Sequence, residues 1–221
     1  EEFDRPARKA GAIVAPPLFV NGLVITGSNG GDAAYRGRLV ALDARDGRER
    51  WRFNVIPGPG AKGHETWSGD SWRYGGGAPW LTGSYDPDLN LVYWGTGNAS
   101  SDFSGGARLG DNLYTASIVA LRPETGELVW HFQTTPHDVW DWDAAYECIL
   151  IDWPVSGVMR KLLVQPNKNG FMYVLDRTNC KLIAAHPYVR VNWATHVDLA
   201  TGRPVLTDIS KRFAAGEEVS I

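Results

Sequence analysis

No run of about 18 apolar residues occurs in this chain, so no helical membrane span is encoded. The opening stretch "EEFDRPARKA" lacks the apolar segment of a secretory leader. Neither sign of charge dominates: 22 basic and 25 acidic residues are interspersed for a net charge of −3, which excludes both the basic footprint of a nucleic-acid binder and an acidic tail. Cysteine is scarce. Cys148 and Cys180 stand far apart without zinc-like spacing and read as buried thiols or as one disulfide. There is no phosphate-binding Gly-Lys-Ser loop, no His-Glu-x-x-His pattern and no Gly-x-Ser-x-Gly nucleophile turn. No stretch shows the periodicity of a long amphipathic helix.

What the chain has in abundance is glycine and tryptophan. Its 221 residues include 25 glycines, against a usual share of about 7%, and ten tryptophans, so tight turns and large flat side chains are used together. Short runs of β character recur, among them "LFVNGLVITGS", "RLVALDA", "ERWRFNV", "LNLVYWGTG", "YTASIVAL", "ELVWHFQT", "RKLLVQPN", "FMYVLDR" and "KLIAAHPYV". Turn sequences such as "RDGR", "PETGE", "PVSG", "NKNG" and "ATGRP" separate them. The fold class is all-β.

The chain also repeats itself. "ALDARDGRERW" (41–51) and "ALRPETGELVW" (120–130) share Ala-Leu, a glycine six places after the alanine and a tryptophan four places beyond that. A third copy, "VLDRTNCKLIA" (174–184), has Cys180 at the glycine position and Ala184 at the tryptophan position. A strand, a tight turn and a strand with one tryptophan cannot bury their own faces, so copies must stack as blades around an axis: a β-propeller. Two clear copies and a degenerate one account for a partial ring of about three to four blades. Residues 56–79 are too long and glycine-rich for a plain blade connection and are expected near a functional site.

The densest chemistry lies in "TTPHDVWDWDAAYE", where Asp138, Asp141 and Asp143 alternate with Trp140 and Trp142. If the stretch is extended, Asp141 and Asp143 share one face and the two tryptophans the other. Paired carboxylates repel unless a proton or cation lies between them, and oxygen ligands of this kind suit hard cations. Surface acids beside buried rings are the plainer reading. Asn98 in "GTGNAS" is read either as a turn former or as a ligand. Asp32 follows a strand in the glycine-rich "GSNGGDAAYRG", whose amides could approach an anion. Trp80 is either a core ring or a platform for a planar ligand. Lys168 in "NKNG" sits where type I′ turns occur, and His137 reads as structural.

Together, "APPLFVNGLVITGS", "YDPDLNLVYWGTGN", "GDNLYTASIVAL", "WHFQTTPHDVWDWDA", "NKNGFMYVLDR" and "VNWAT" resemble the alcohol dehydrogenases that use pyrroloquinoline quinone (PQQ), the methanol/ethanol dehydrogenase family. The resemblance implies an eight-bladed propeller locked by tryptophan-docking motifs. Residues 1–221 would be a segment of that one domain, incomplete at both ends. It implies oxidation of a primary alcohol to the aldehyde, with Asp141 as catalytic base. Asp32, Asn98, Asp141 and Asp143 would be the metal ligands, and Asn29, Gly30, Gly31, Trp80 and Lys168 the contacts to PQQ. Asp143 matches an aspartate of lanthanide-using members and favours a lanthanide, with calcium the alternative. Asp32 stands where the family has a glutamate, and Val14 and Ala78 stand where it commonly offers hydroxyls. A cytochrome c-type acceptor, a periplasmic location and room for a homodimer are also implied. Two other readings stay open: a non-catalytic envelope scaffold, which would have no reason to keep Asn98, Asp141 and Trp80 together, and a quinoprotein acting on sugars or polyols.

Overall fold

A computed structural model describes residues 12–214; the stretch at the start of the chain, read above as lacking a leader, lies outside them. Three four-stranded antiparallel sheets follow one another along the chain. The first is β1 (Leu18–Val20), β2 (Leu23–Gly27), β3 (Arg38–Asp43) and β4 (Glu49–Asn54). The second is β5 (Ser84–Asp86), β6 (Leu91–Gly95), β7 (Ser117–Leu121) and β8 (Leu128–Gln133), and the third is β9 (Ile149–Val155), β10 (Val158–Pro166), β11 (Phe171–Asp176) and β12 (Lys181–Pro187). Each sheet is a simple meander in which every strand pairs with its sequence neighbours. A two-stranded sheet, β13 (Ala194–Val197) with β14 (Pro204–Leu206), and a short helix α1 (Asp208–Ala214) follow. This is the partial propeller expected, with three full blades.

The repeats fall on the hairpins between the third and fourth strands of the blades. Ala41 pairs with Trp51, Ala120 with Trp130 and Val174 with Ala184, and each ladder shifts register at the next residue. The turn requires a left-handed residue, because its amide folds back onto the carbonyl four places earlier. Gly47 and Gly126 take φ of 72° and 71° there, and Cys180 is held at 68° in the degenerate copy. β13–β14 turns in the same way, with Gly202 at φ 72° bonded back to the Asp198 carbonyl. It is a fourth hairpin of this kind that "ATGRP" had marked only as a separator. Cys180 carries a cost of about 1–3 kcal/mol for its backbone region, offset in part by its Sγ contact with the His131 carbonyl at 3.0 Å. Replacing Cys180 by glycine should therefore change stability by no more than about 1 kcal/mol, as read from urea midpoints of the full-length protein.

Each tryptophan of the motif joins its own blade to the next. Trp51 Nε1 donates to the Pro123 carbonyl at 2.7 Å, and its ring lies so close over Gly126 that a Cβ there would come within 2.5 Å of Cε3. Trp130 Nε1 repeats the contact one blade on, to the Arg177 carbonyl at 3.3 Å. Arg177 is itself buried and paired with Asp86 at 2.6 Å and Asp152 at 2.8 Å, which ties the second blade to the third. The core accordingly lies between blades. Ile25, Leu39, Trp51, Val92, Trp94 and Val119 fill the first gap, and Tyr93, Ile118, Leu163, Phe171, Tyr173 and Leu175 the second.

The short β5 and the strands β9, β13 and β14 carried no clear sequence signal. β9 contains Pro154, which argues against a central strand; the strand is at the sheet edge, where a missing donor costs little. Both cysteines are free thiols, so the disulfide alternative falls away.

Candidate functional site

Antiparallel meanders sort their connections by end. In each blade the loop after the second strand and the crossing from the fourth strand to the next blade leave from one end, while the tryptophan hairpins turn at the other. Every candidate residue belongs to the first set. Asn29, Gly30, Gly31 and Asp32 follow β2, Trp80 lies between β4 and β5, and Asn98 follows β6. Asp141 and Asp143 lie between β8 and β9, and Lys168 follows β10. Residues scattered over 140 positions of sequence are thus delivered to one rim.

At that rim, backbone approaches backbone closely. Gly77 N donates to the Asn98 carbonyl at 2.8 Å, Gly97 N to the Ala78 carbonyl at 2.9 Å, and Gly37 N to the Gly76 carbonyl at 2.8 Å. The end of the glycine-rich 56–79 segment is therefore stitched between the loops that carry Asp32 and Asn98. Gly97 admits no side chain, since a Cβ would lie 2.7 Å from Asp143 Oδ1.

Asp143 is buried at the centre of the cluster. Its Oδ1 accepts from the backbone N of Asn98 at 3.0 Å and from Trp80 Nε1 at 3.4 Å, and its Oδ2 is 3.9 Å from Lys168 Nζ. Burial raises its pKa against these favourable contacts. Lys168 Nζ also donates to Asp141 Oδ2 at 3.0 Å. Burial works against the lysine's charge, but the bond to Asp141 and the field of Asp143 hold its pKa above the ordinary range. Asp143, Trp80, Asn98, Lys168 and Asp141 form one connected group.

The loop carrying the two aspartates is not extended, which corrects the alternation argument. No strand forms between β8 and β9, and Asp141 has φ of 60°. The division of faces nevertheless survives by another route: Trp140 and Trp142 stack on each other at 4.7 Å and pack at a tilt against Trp193 on one side, while Asp141 and Asp143 meet Lys168 on the other. Asp138 makes this possible. Fully buried, it accepts from Trp140 N at 2.9 Å and Trp142 N at 2.7 Å, folding the chain so that Asp141 projects. The type I′ turn expected at Lys168 is also replaced. Only Gly170 takes positive φ, and the flanking Asn167 and Asn169 are buried in bonds to Thr134, Gln165, Thr135 and Tyr173, which fixes the lysine between them. His137 is structural, its Nδ1 2.8 Å from the Gly110 carbonyl.

Burial pushes Asp138 up to about 7, outweighing its two amide donors and the nearby Arg108. A folded-state pKa above the unfolded value means that this residue's stabilisation is complete below about 4 and is lost as pH rises through about 7. In the full-length protein, the thermal midpoint of wild type relative to Asp138→Asn should fall across that window and level off above it.

One acid of the rim was not singled out by sequence. Asp102 accepts from Asn98 Nδ2 at 2.8 Å, and its pKa is raised to about 6 by burial and then by the charges of Asp32 and Asp141. Both charges are therefore felt at Asp102, although Asp32 is exposed and Asp141 half-buried. Its signal in the sequence was only an acid four places beyond a candidate ligand. Among the described residues no three His, Cys, Asp or Glu side chains close into a metal-holding group; the Lys168 ammonium lies between Asp141 and Asp143 instead. The donor set still suits a hard cation. It consists of carboxylates and one amide, the charges of Asp32 and Asp141 add to burial in raising the pKa of Asp102, and among the described residues no donor reaches Asn98 Oδ1. Trp80, Lys168 and the left-handed Gly30 (φ 88°) ahead of buried Gly31 suit a flat polyanion. Two clefts lie elsewhere, one lined by Asp111, His131 and Arg203 and the other by Phe53, Lys62 and Tyr114.

A family described as glucose/ethanol/alcohol dehydrogenase, beta-propeller domain, of the PQQ type, matches residues 2–192. The chain is 47% identical over 210 residues to quinohemoprotein alcohol dehydrogenase ADH IIB of Pseudomonas putida, covering 88% of this chain and 30% of that protein. It superimposes on the structure of quinohemoprotein alcohol dehydrogenase ADHIIG from Pseudomonas putida HK5 with a TM-score of 0.83 at 44% identity, covering 89% and 31% of the two chains. A europium-containing methanol dehydrogenase gives 0.84 at 38% identity, covering 89% and 37%. The chain spans about a third of the length of the proteins it matches.

Proposed function

Because the chain belongs to the PQQ-type glucose/ethanol/alcohol dehydrogenase β-propeller family, we propose that residues 1–221 are a segment of a single propeller domain whose full-length protein oxidises a primary alcohol to the aldehyde. The observation that carries this reading is the connected group at the rim, in which Lys168 bridges Asp141 and Asp143 while Asp143 receives Trp80 and Asn98. A scaffold has no need to wire these particular residues together.

When bound, the quinone supplies the electron acceptor and a cation the Lewis acid that polarises it. Asn98 Oδ1, Asp141 and Asp143 Oδ2 would hold the cation, with Asp32 reaching in from the β2–β3 loop. Trp80 offers a flat face, fixed in rotation by its bond to Asp143, and the amides after Asn29 at Gly30 and Gly31 lie along the same rim. Asp141 takes the hydroxyl proton. Its Oδ2 is bound by Lys168, and among the described residues Oδ1 is the edge left free for the substrate. Lys168 retains its charge and favours negative charge developing nearby. A lanthanide is the proposed cation: a trivalent ion gains most from the extra charge of Asp143, and calcium is the alternative. Metal content after reconstitution with each separates the two. The same reading gives a cytochrome c-type acceptor and a periplasmic location.

Dye-linked oxidation by the full-length, PQQ-loaded protein tests the whole reading. Ethanol should be oxidised in preference to glucose. Preference for glucose would favour the sugar and polyol alternative, and inertness to both would favour the scaffold.

A further inference from the structure

We propose that Asp102 is a positioning residue that fixes which edge of the Asn98 amide the rim presents. Oxygen and nitrogen of an amide are nearly the same size, so a half-turn about the last side-chain bond exchanges them at little steric cost. Everything else about Asn98 is already held. Its backbone N donates to Asp143 Oδ1 and its carbonyl accepts from Gly77 N, and the residue is 4% exposed. The orientation of the amide is the one freedom left. A carboxylate has no hydrogen to donate, so only the NH2 edge can face Asp102, and Nδ2 does so at 2.8 Å with a second, longer contact to the Ala99 carbonyl at 3.4 Å. The carbonyl edge is thereby turned the other way. Asn98 Oδ1 accepts no hydrogen bond among the described residues, yet it is not among the buried atoms left unpaired, so it reaches the surface.

The loop bearing Asp102 is anchored independently. Buried Arg108 donates from Nη2 to the Ser101 carbonyl at 3.0 Å and from Nη1 to Asn112 Oδ1 at 2.7 Å. Asp102 is thus a fixed support behind Asn98. Without it, an amide free to flip would point its NH2 at a cation for part of the time, and affinity would fall.

This inference rests on the cation-binding reading of the rim, and the test separates the two. Terbium(III) is titrated into the full-length apo protein, with tryptophan-sensitised luminescence as the readout and calcium as competitor. Wild type should bind. Asp102→Asn, which can turn its own NH2 towards Asn98 and release the orientation, should bind ~10-fold or more weakly; Asp102→Glu should retain most of the affinity. In an Asn98→Asp background, where the side chain has two equivalent oxygens and nothing to orient, the loss on Asp102→Asn should shrink to less than ~3-fold. Equal terbium affinity of wild type and Asp102→Asn, or an undiminished loss in the Asn98→Asp background, overturns the assignment. Failure of wild type to bind either ion overturns the cation-binding reading itself. Circular dichroism of each variant confirms that the fold is kept, and Asp102→Asn is isosteric.

Discussion

Asp141→Asn in the full-length protein is expected to lower kcat/KM for ethanol by ~10²–10⁴-fold, the usual contribution of a positioned general base, while PQQ still binds and absorbs. The substitution suits the site in every respect except the proton. Asp141 holds φ of 60°, a region that asparagine tolerates at least as well as aspartate. The backbone turn is set by Asp138 through the Trp140 and Trp142 amides, and neither bond involves the Asp141 side chain. The amide oxygen can still accept from Lys168, so the ion pair becomes a hydrogen bond from the ammonium to a neutral acceptor and the lysine stays in place. What disappears is a group able to take the hydroxyl proton. Steady-state kinetics on ethanol beside the absorbance of bound quinone checks this. Near-normal turnover would remove Asp141 from the role.

The largest stability effect should follow Trp51→Ala, which is expected to cost ~3–5 kcal/mol, the range for truncating a buried aromatic side chain. Trp51 is 8% exposed, covers Gly126 of the next blade and donates to the Pro123 carbonyl. Its removal opens a cavity and also leaves a blade-to-blade carbonyl without its partner. Trp51→Phe should recover part of the packing but not the hydrogen bond, and so fall between. Gly126→Ala attacks the same joint from the other side, adding a Cβ into the ring at a backbone of φ 71°. Urea midpoints of the three full-length variants measure the order. A Trp51→Ala loss below about 1 kcal/mol would mean that the tryptophans do not lock the blades.

The architecture was readable because it is periodic. Ala41, Gly47 and Trp51 recur as Ala120, Gly126 and Trp130, and the ladders register the copies as the alignment does. The candidate site has no period. Asp32, Trp80, Asn98, Asp141 and Lys168 lie in five loops, and it took resemblance to a family to choose between their functional and their plainer readings; their common end follows from strand alternation once the blades are drawn. Asp138 and Asp102 stayed hidden for different reasons. Asp138 looked like one more acid of a crowded run, and its structural role exists only because the loop folds back on it. Asp102 sits in an irregular segment where sequence has no geometry to offer, and only its contact with Asn98 distinguishes it. β9 was obscured by Pro154, which is harmless at an edge and would not be in the middle of a sheet.

The ammonium of Lys168 lies between two aspartates that would otherwise confront each other. The polypeptide thus carries its own neutralising charge at the rim, so loops from two blades can bring these acids together with a counter-charge the chain itself supplies.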